Sequence, residues 1–520
     1  MHKNIVKELH LGDEAKAKLL SGINKLSEAV GSTLGASGRS VLIEGQYGTP
    51  QVTKDGVTVA NSILLDDPVE NLGVNLVKEA AQKTASRAGD GTTTSTVLTK
   101  AILDEFLAKD HDVSFRSLKN GMDRYVEYAL NQLDRRSVDL DDKLMKDVAT
   151  ISANNDKELG ELISEAFEKA GEHGVVTFEK SQTEKTYVTH VEGAHIENSC
   201  ASNHFFTNPD KELSELDNPY IFISATEIPS VPKIESILAQ AIRDKRPVVL
   251  VAELDNQVTS ALAMNKIKGN ISVNVINPPS FGQKRKDILQ DLAFLVGAKC
   301  FDDSLGDSID AISPDMLGYC TRVVSDPDGT VFITKGKPEI DEKVAELQDL
   351  LKETDHPTLI DHLNRRIALL NGSVSVIHVG ADTEIEVNEK YDRVEDAVHA
   401  VRAAQKDGIL PGGGSALHYI AANNDCAMNS SELLGWNIMV EAVKAPIKRI
   451  LSNSGLKYDS KGAGKMKWGE GVDVIDGEVK NMIKAGIIDP TAVTKEALKN
   501  AFSVASIILS TDVVINNARE

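Results

Sequence analysis

The stretch Ala88-Gly89-Asp90-Gly91-Thr92-Thr93-Thr94 joins the end of one predicted helix to the start of the next, whose apolar face is Val97, Leu98, Ala101 and Ile102. Backbone N–H groups at a helix start, glycines that permit close approach and threonine hydroxyls together form a cradle for phosphate. Asp90 is adjacent and is placed to hold Mg²⁺ against phosphate oxygens. A glycine-rich turn in which Asp90 and Thr92 only cap the helices explains the same residues, so spacing alone leaves both interpretations open.

Helical periodicity dominates the two ends of the chain, and short β-branched runs dominate its middle. One amphipathic helix is predicted from Asp13, as its N-cap, to Leu34, and a second from Leu72 to Ala88. The β-branched runs are Tyr220–Ser224, Val248–Ala252, Ile271–Ile276 and Val374–Val379, and the helical pattern returns after Val394. This order predicts an α/β domain inserted into a helical one.

The composition is that of a globular protein with several domains. The 520 residues are 41% hydrophobic and 26% charged, and 57 Lys and Arg against 78 Asp and Glu give a net charge of −21. A negative surface repels the phosphates of nucleic acids and anionic lipids, so we expect neither nucleic acid nor a membrane as a partner. Four cysteines without a CxxC pair, and an N-terminus without a signal-peptide pattern, predict a reducing, cytoplasmic location.

Eight segments occur in the order, and nearly at the spacing, of one protein family. They are Thr33-Leu34-Gly35 with Gly38-Arg39, VTKDGVTVA from Val52, AGDGTTTSTVL from Ala88, TISANND from Thr150, FGQKRKDILQDLA from Phe281, DRVEDAVHAVRAA from Asp392, PGGGSAL from Pro411 and GIIDPTAVT from Gly486. Over essentially its whole length the chain resembles a GroEL-type group I chaperonin, as a divergent member.

The resemblance implies a multidomain α and α/β fold. In the family, both chain ends form a helical equatorial ATP-binding domain, followed inward by a small intermediate domain and an inserted α/β apical domain. Carried over, these are residues 1–134 with 406–520, residues 135–190 with 374–405, and residues 191–373. The resemblance also implies a homo-oligomeric ring, usually of seven subunits, with unfolded or misfolded proteins and a GroES-like co-chaperonin as partners.

The resemblance places ATP on residues from several separate parts of the chain. They are Thr33, Leu34, Gly35, Ala36, Lys54, Asp90, Gly91, Thr92, Thr93, Thr94, Gly413, Asp473, Val474, Ile475 and Asp489. The family's Mg²⁺ is held chiefly at the position of Asp90, and a K⁺ sits among backbone carbonyls near Thr33 and Lys54. Asp55 and Asp396 match the two carboxylates needed for hydrolysis, which suits a reaction that requires charge neutralisation and an oriented water.

Two departures from the family pattern lie near the nucleotide. Ala36 and Ser37 replace a proline and a lysine, which leaves backbone contacts to phosphate in place. Asp473-Val474-Ile475 replaces Asn-Ala-Ala on the adenine side. We therefore expect a bulkier and charged base pocket, with a changed nucleotide affinity.

The predicted substrate-binding surface lies on the apical domain. On an extended segment that presents aromatic residues in the family, Cys200 and His204 replace two of them and Phe205 is kept. Two helices follow with apolar residues at helical spacing, which the resemblance assigns to a groove for non-native proteins. These residues are Ile234, Ile237, Leu238, Leu262 and Met264. The alternative is that both apolar faces pack on the apical sheet.

The sequence thus predicts an ATPase that hydrolyses ATP to ADP and phosphate and uses the cycle to fold proteins in a ring cavity. A ring-forming scaffold without productive folding and a metabolite kinase remain as alternatives. The helix after the glycine loop ends in Lys109-Asp110-His111-Asp112, where double-ring members carry an apolar contact. Because charged groups cannot supply that burial, the resemblance predicts weak pairing between rings.

Overall fold

In a computed structural model of the chain, contacts between residues divide the molecule into two units. The helical unit contains residues 1–164 and 379–520, and the sheet unit contains residues 165–378. The structure describes residues 7–44, 50–108, 113–171, 174–181, 183–209, 211–327, 329–334, 339–354, 356–424, 430–459 and 466–518. The segment Lys109–Asp112, on which the ring-pairing prediction rests, lies outside the described residues.

The helical unit is built from long helices with short two-stranded sheets. Its helices are α1 (Gly12–Gly31), α2 (Gly56–Ser62), α3 (Pro68–Ala88), α4 (Thr92–Leu107), α5 (Phe115–Arg136), α6 (Asp142–Ser152), α13 (Glu384–Asp407), α14 (Ser415–Ala422), α15 (Ser430–Ala442), α16 (Ala445–Asn453) and α17 (Thr491–Ser510). Its strands pair as β1 (Lys7–Leu11) with β19 (Val513–Asn517), β2 (Val41–Glu44) with β3 (Pro50–Thr53), β15 (Ile409–Pro411) with β18 (Ile488–Pro490), and β16 (Glu470–Asp473) with β17 (Glu478–Asn481).

Local sequence signals set the ends of α3, the helix that leads to the glycine loop. The Asp67 carboxylate accepts the amides of Val69 and Glu70, and Pro68 occupies the first helical position. At the other end Gly89 has a left-handed conformation with φ 75°, which glycine adopts without the strain of a Cβ. The predicted end of this helix at Ala88 is confirmed.

The core of the helical unit brings together both ends of the chain. Side chains of α1, α3 and α4 pack with those of α5, α15 and α17, and Tyr125 meets Trp436 edge to face at 5.0 Å. α5 and α15 approach closely because a Cβ at Gly121 would lie 1.9 Å from the Glu432 carbonyl oxygen. The helical unit is therefore held together by contacts between segments more than 300 residues apart in sequence.

The sheet unit contains two sheets with helices between and beside their strands. Its helices are α8 (Glu235–Asp244), α9 (Asn256–Ile267), α10 (Gly282–Val296), α11 (Glu339–Glu353) and α12 (Pro357–Leu370). Its strands are β4 (Val175–Lys180), β5 (Tyr187–Ile196), β6 (Ser214–Asp217), β7 (Tyr220–Ser224), β8 (Val248–Val251), β9 (Val273–Ile276), β10 (Cys300–Phe301), β11 (Gly318–Tyr319), β12 (Arg322–Asp326), β13 (Gly329–Ile333) and β14 (Ser373–Val379). The chain passes between the two units within α7 (Lys157–Ala170) and at the end of β14.

The two sheets differ in direction. One has the order β10-β7-β8-β9 with parallel pairs, and β11 adds to β7 antiparallel. The other has the order β4-β14-β5-β13-β12-β6, with antiparallel pairs from β14 to β6. The strands of the parallel sheet are buried on both faces, as expected where helices cover the sheet.

One predicted helix start is wrong. α1 begins at Gly12 with Leu11 as its N-cap residue, and Asp13 lies in the first turn, where its negative charge favours the helix N-terminus. Helix α1 also ends at Gly31 rather than Leu34. The predicted division into equatorial, intermediate and apical domains, with its boundaries, stays a prediction. Among the helices of the described segments, none combines the length and the apolar character needed to cross a bilayer.

Candidate functional site

Two glycine loops each lead into a helix that lacks a side-chain cap. α4 follows Gly91, with φ 93°, and α14 follows Gly414, with φ 72°; neither helix start is capped by a side chain of the described residues. Among the described residues, Asp90 accepts the Gly91 amide and no side chain caps α4, so the interpretation of Asp90 and Thr92 as caps of α4 is not supported. First-turn amides at such helix starts are suited to bind an anion.

The loop before α4 is the centre of a group of segments that are distant in sequence. A Cβ at Gly56, beside Asp55, would lie 2.3 Å from Thr93 Oγ1. A Cβ at Gly89 would lie 2.1 Å from the His399 Cβ, on the helix that carries Asp396. These distances are shorter than side-chain contacts allow, so glycine at both positions lets the backbone approach as closely as it does.

Four carboxylates converge on this loop: Asp55, Asp90, Asp396 and Asp489. Burial, followed by the charges of Asp55 and Asp90, raises the pKa of Asp396 well above its usual value. Burial and the charge of Asp55 raise the pKa of Asp90. Burial and the charge of Asp90 raise the pKa of Asp489 to about 7. The structure therefore brings together the residues predicted for hydrolysis and for the metal.

Two of these carboxylates also have structural partners. The Asp55 oxygens accept the amides of Val57 at 3.1 Å and Thr58 at 2.7 Å, which makes Asp55 the N-cap of α2. Asp489 accepts the Gly414 amide, and β18 holds it opposite Leu410 of β15, directly before the second glycine loop. Each oxygen keeps a second lone pair for another ligand.

The loop at residues 33–36 presents backbone rather than side chains. Thr33 is buried, and its hydroxyl donates to the Val30 carbonyl at 2.8 Å, so this hydroxyl does not point outward as a donor. Gly35 and Ala36 are exposed, and Leu34 is half-buried. A Cβ at Gly35 would lie 3.0 Å from the Ile450 side chain of α16. Lys54 is exposed.

The residues predicted for the base pocket form the end of a hairpin. Asp473 is buried and accepts from the Ile475 amide at 3.0 Å and from Lys480 Nζ at 2.9 Å. Ile475 is 81% exposed, and Val474 is half-buried. The hairpin adjoins the second glycine loop, since a Cβ at Gly413 would lie 3.2 Å from Met482 Cε. The negative charge of Asp473 that was expected at the base pocket is therefore paired with Lys480.

In the sheet unit, most of the residues predicted to bind substrate on an exposed surface are buried. Five of the six lie in the core around the parallel sheet, namely Phe205, Ile234, Ile237, Leu238 and Leu262. Only Met264 is exposed, at 52%. The buried apolar side chains of α8 and α9 pack on β7, β8 and β9, so these side chains offer no surface to a partner in this conformation.

Sequence reasoning missed three residues beside the candidate site. Asn453 and Arg449 of α16 donate to carbonyl oxygens near the loop at Thr33. Lys480 pairs with Asp473 across the hairpin. The spacing of four residues places Arg449 and Asn453 on one face of α16, but it does not tell which carbonyl groups that face contacts.

Comparison with known proteins identifies the family of the chain. Residues 26–519 match the model of the TCP-1/cpn60 chaperonin family. Because the match spans nearly the whole chain, the chain belongs to that family. The resemblance stated from the sequence is confirmed.

Solved structures of a phage chaperonin show the same fold. Over 98% of this chain and 99% of the other, the structure is similar to chaperonin gp146 from the bacteriophage EL 2 (Pseudomonas aeruginosa) in presence of ATP-BeFx, crystal form II, with a TM-score of 0.70 and 22% sequence identity. Crystal form I of that protein matches over the same shares with a TM-score of 0.65 and 22% identity. The predicted fold class, a GroEL-like arrangement of helical and α/β domains, is confirmed.

Proposed function

We propose that this chain is an ATP-dependent chaperonin subunit that hydrolyses ATP to ADP and phosphate and uses the cycle to fold non-native proteins. The observation that carries the proposal is the convergence of four carboxylates with two uncapped helix starts in one unit. Family members are ATPases, and the phage structures were obtained with an ATP analogue, which supports the proposal. An anion such as triphosphate and a divalent cation complement this combination of groups.

The phosphates are proposed to bind at the start of α4. The amides of Thr92, Thr93 and Thr94 occupy its first turn, and the helix dipole favours negative charge there. The backbone of Thr33 to Ala36 and the loop at Gly413 are proposed as further contacts of the nucleotide. Asp473, Val474 and Ile475 remain the proposed contacts on the base side.

Mg²⁺ fits the donor set at Asp90. Carboxylate oxygens are the ligands that this cation prefers, and a cation would offset the negative charges that, with burial, raise the pKa values of Asp90 and Asp396. Among the described residues, no group of three or more His, Cys, Asp or Glu side chains is arranged to hold a metal ion alone. We therefore propose that Asp90 holds Mg²⁺ together with phosphate oxygens, where the ion supplies charge neutralisation. A K⁺ among the carbonyls of Thr33 and Lys54 is proposed by family resemblance alone.

Asp396 is proposed to orient the attacking water. Its raised pKa makes it a better proton acceptor once it is ionised, and its helix lies against Gly89 through His399. Asp55 is proposed as the second carboxylate of the reaction, held in position by the two amides that it caps. These hydrogen bonds hold Asp55 next to Gly56, which adjoins Thr93 of the glycine loop.

Non-native proteins are proposed to bind the exposed apolar residues of α8 and α9. Ile242 is 54% exposed, Met264 52% and Ile267 61%. Met264 and Ile267 are three positions apart on α9 and therefore neighbours on its surface, and exposed apolar side chains favour contact with unfolded chains. The buried residues of the same helices have the structural role of supporting this surface.

Assembly into a homo-oligomeric ring is proposed through the two-stranded sheets of the helical unit. The β1–β19 and β2–β3 sheets expose apolar side chains, among them Leu9, Leu11, Ile515, Leu42 and Val52. Each strand of a two-stranded sheet keeps one unpaired edge, which is a template for pairing with another copy. Seven subunits per ring and a GroES-like co-chaperonin are proposed by family resemblance.

One experiment tests the proposed function as a whole. ATP turnover is measured alongside ATP-dependent refolding of a denatured enzyme, with Asp90→Ala as the comparison. Turnover together with refolding is the expected result, and Asp90→Ala should lose Mg²⁺-dependent ATP binding. Turnover without refolding would favour the scaffold, and phosphate transfer to a metabolite would favour the kinase. Unchanged ATP affinity of Asp90→Ala in Mg²⁺ would remove Asp90 from the metal site.

A further inference from the structure

Helix α1 ends directly before the loop at Thr33, and the last carbonyl groups of any α-helix lack partners within the helix. In α1 local groups satisfy part of this need, because Ser32 Oγ donates to Ala29 O at 2.7 Å and Thr33 Oγ1 donates to Val30 O at 2.8 Å. The carbonyls of Glu28 and Gly31 accept the amides of Ser32 at 3.2 Å and Leu34 at 3.3 Å, and both also face a different helix.

That helix is α16, which supplies two side chains from one face. Arg449 Nε donates to Gly31 O at 3.0 Å and Arg449 Nη2 to Glu28 O at 3.2 Å, while Nη1 pairs with the Glu28 carboxylate at 2.9 Å. The Asn453 amide nitrogen donates to Gly31 O at 3.0 Å and to Leu34 O at 2.9 Å, with Ser32 O at 3.5 Å. A single amide group thus holds both the helix end and the loop after it.

The opposite end of α16 touches the second glycine loop. A Cβ at Gly414 would lie 2.7 Å from the Ile447 backbone nitrogen and 3.2 Å from Pro446 Cβ. Between these two ends, Ile450 packs against Gly35. A helix of this length spans roughly 13 Å, so its two ends reach both loops without a hinge between them.

We infer that α16 fixes the spacing between the loop at Thr33–Gly35 and the loop at Gly413–Gly414, and that Asn453 is a positioning residue for nucleotide binding. This inference rests on the proposed function, because both loops are proposed to contact the nucleotide. Asn453 acts through the carbonyls of Gly31 and Leu34 and does not itself touch the ligand. Without its amide, the backbone of residues 33–35 loses a fixed position relative to the Gly413–Gly414 loop.

The test replaces the Asn453 amide and measures ATP binding by calorimetry together with KM and kcat of ATP hydrolysis. Asn453→Asp keeps the shape of the side chain but removes the donor and places a carboxylate against two carbonyls. Asn453→Ala removes the donor without adding charge, and it decides the question if the aspartate variant does not fold. The matched control is Asn423→Asp, since Asn423 Nδ2 donates to Tyr419 O at 3.0 Å at the end of α14.

We expect the Kd and KM for ATP to rise about ten-fold in Asn453→Asp, with kcat within about two-fold of the wild type. Asn423→Asp should keep the wild-type KM. A purely structural role would lower the active fraction and therefore kcat at unchanged KM, and that result would overturn the inference, as would unchanged ATP binding in both Asn453 variants. Failure of the wild-type protein to bind ATP would instead overturn the proposed function, and the inference with it.

Discussion

The same resemblance predicted functional residues in two regions, the glycine-loop site of the helical unit and the helices α8 and α9 of the sheet unit. The positions of those residues differ from the prediction in the second region but not in the first. At the glycine loop, Asp55, Asp90, Asp396 and Asp489 come together although up to 434 positions separate them in sequence. On α8, α9 and the segments before them, five of six predicted surface residues are core. Packing of a core does not require carboxylates at glycine turns, so their clustering indicates a different requirement. Apolar residues at helical spacing indicate a buried face whether or not a partner also binds there.

The largest effect expected at the glycine loop concerns Asp396. Asp396→Ala should lower ATP turnover by roughly 10²- to 10⁴-fold, because a positioned proton acceptor contributes about that much to a transition state. ATP binding should persist, since Asp396 is not among the proposed phosphate contacts. Single-turnover hydrolysis and equilibrium binding, measured on the same sample, separate the two quantities.

The matched control for this variant is Asp407→Asn, because Asp407 is an exposed carboxylate in the last turn of the same helix. It should keep wild-type turnover. Near-normal turnover in Asp396→Ala would show that the convergence of carboxylates has a structural or cation-binding role without a part in hydrolysis.

The next effect tests the assignment of α8 to the core. Ile237 is 0% exposed and Ile242 is 54% exposed on the same helix, so the two isoleucines form a matched pair. Ile237→Ala should lower the free energy of unfolding by about 2–5 kcal/mol, because it leaves a cavity under the sheet. Ile242→Ala should change it by no more than about 0.5 kcal/mol.

Urea unfolding, followed by a signal from the sheet unit, measures both variants. If Ile237→Ala were as stable as the wild type and yet failed to retain an unfolded client protein, the original assignment of Ile237 to a substrate groove would be restored.

A smaller effect is expected at the exposed surface of α9. Changing Met264 and Ile267 to Ser together should weaken retention of an unfolded client about ten-fold, since fully burying a large apolar side chain is worth roughly 1.5–3 kcal/mol and these side chains are only partly buried on contact. ATP turnover should not change. Lys268→Ser, a polar change on the next residue, is the control, and equal retention by both variants would place client binding elsewhere.

The sequence predicted features of the structure that depend on local signals and missed features that depend on residues far apart in the chain. The strand Tyr220–Ser224 and the end of α3 at Ala88 have the predicted bounds, because a β-branched run and a helix-ending glycine are local signals. The start of α1 was wrong because β1 runs directly into the helix, so Leu11, whose backbone is extended, takes the N-cap position. Asn453 was missed because its function depends on carbonyls some 420 residues earlier in the chain, which no local pattern encodes.

The smallest effect concerns the proton equilibrium of Asp489 in protein free of nucleotide and divalent cations. Burial and the charge of Asp90 raise its pKa from the usual 3.8 to about 7, so the folded state holds this proton more tightly than the unfolded state. A group with a raised pKa contributes stability that is present below the unfolded value and is lost as the pH rises through the folded value. The stability of the wild type should therefore decline through this group between about pH 4 and pH 7.

Asp489→Asn removes the buried charge, and at pH 8 it should be more stable than the wild type by at least about 1 kcal/mol, with a smaller difference at pH 5. Urea unfolding in EDTA at both pH values measures this difference. Asp476→Asn is the control of opposite sign, because Lys480 lowers the pKa of Asp476 and its removal should not stabilise the protein at pH 8. If Asp489→Asn were less stable than the wild type at pH 8, the hydrogen bond from Gly414 would outweigh the repulsion by Asp90, and the convergence of carboxylates would be a stable feature of the empty site rather than a strain that a bound cation relieves.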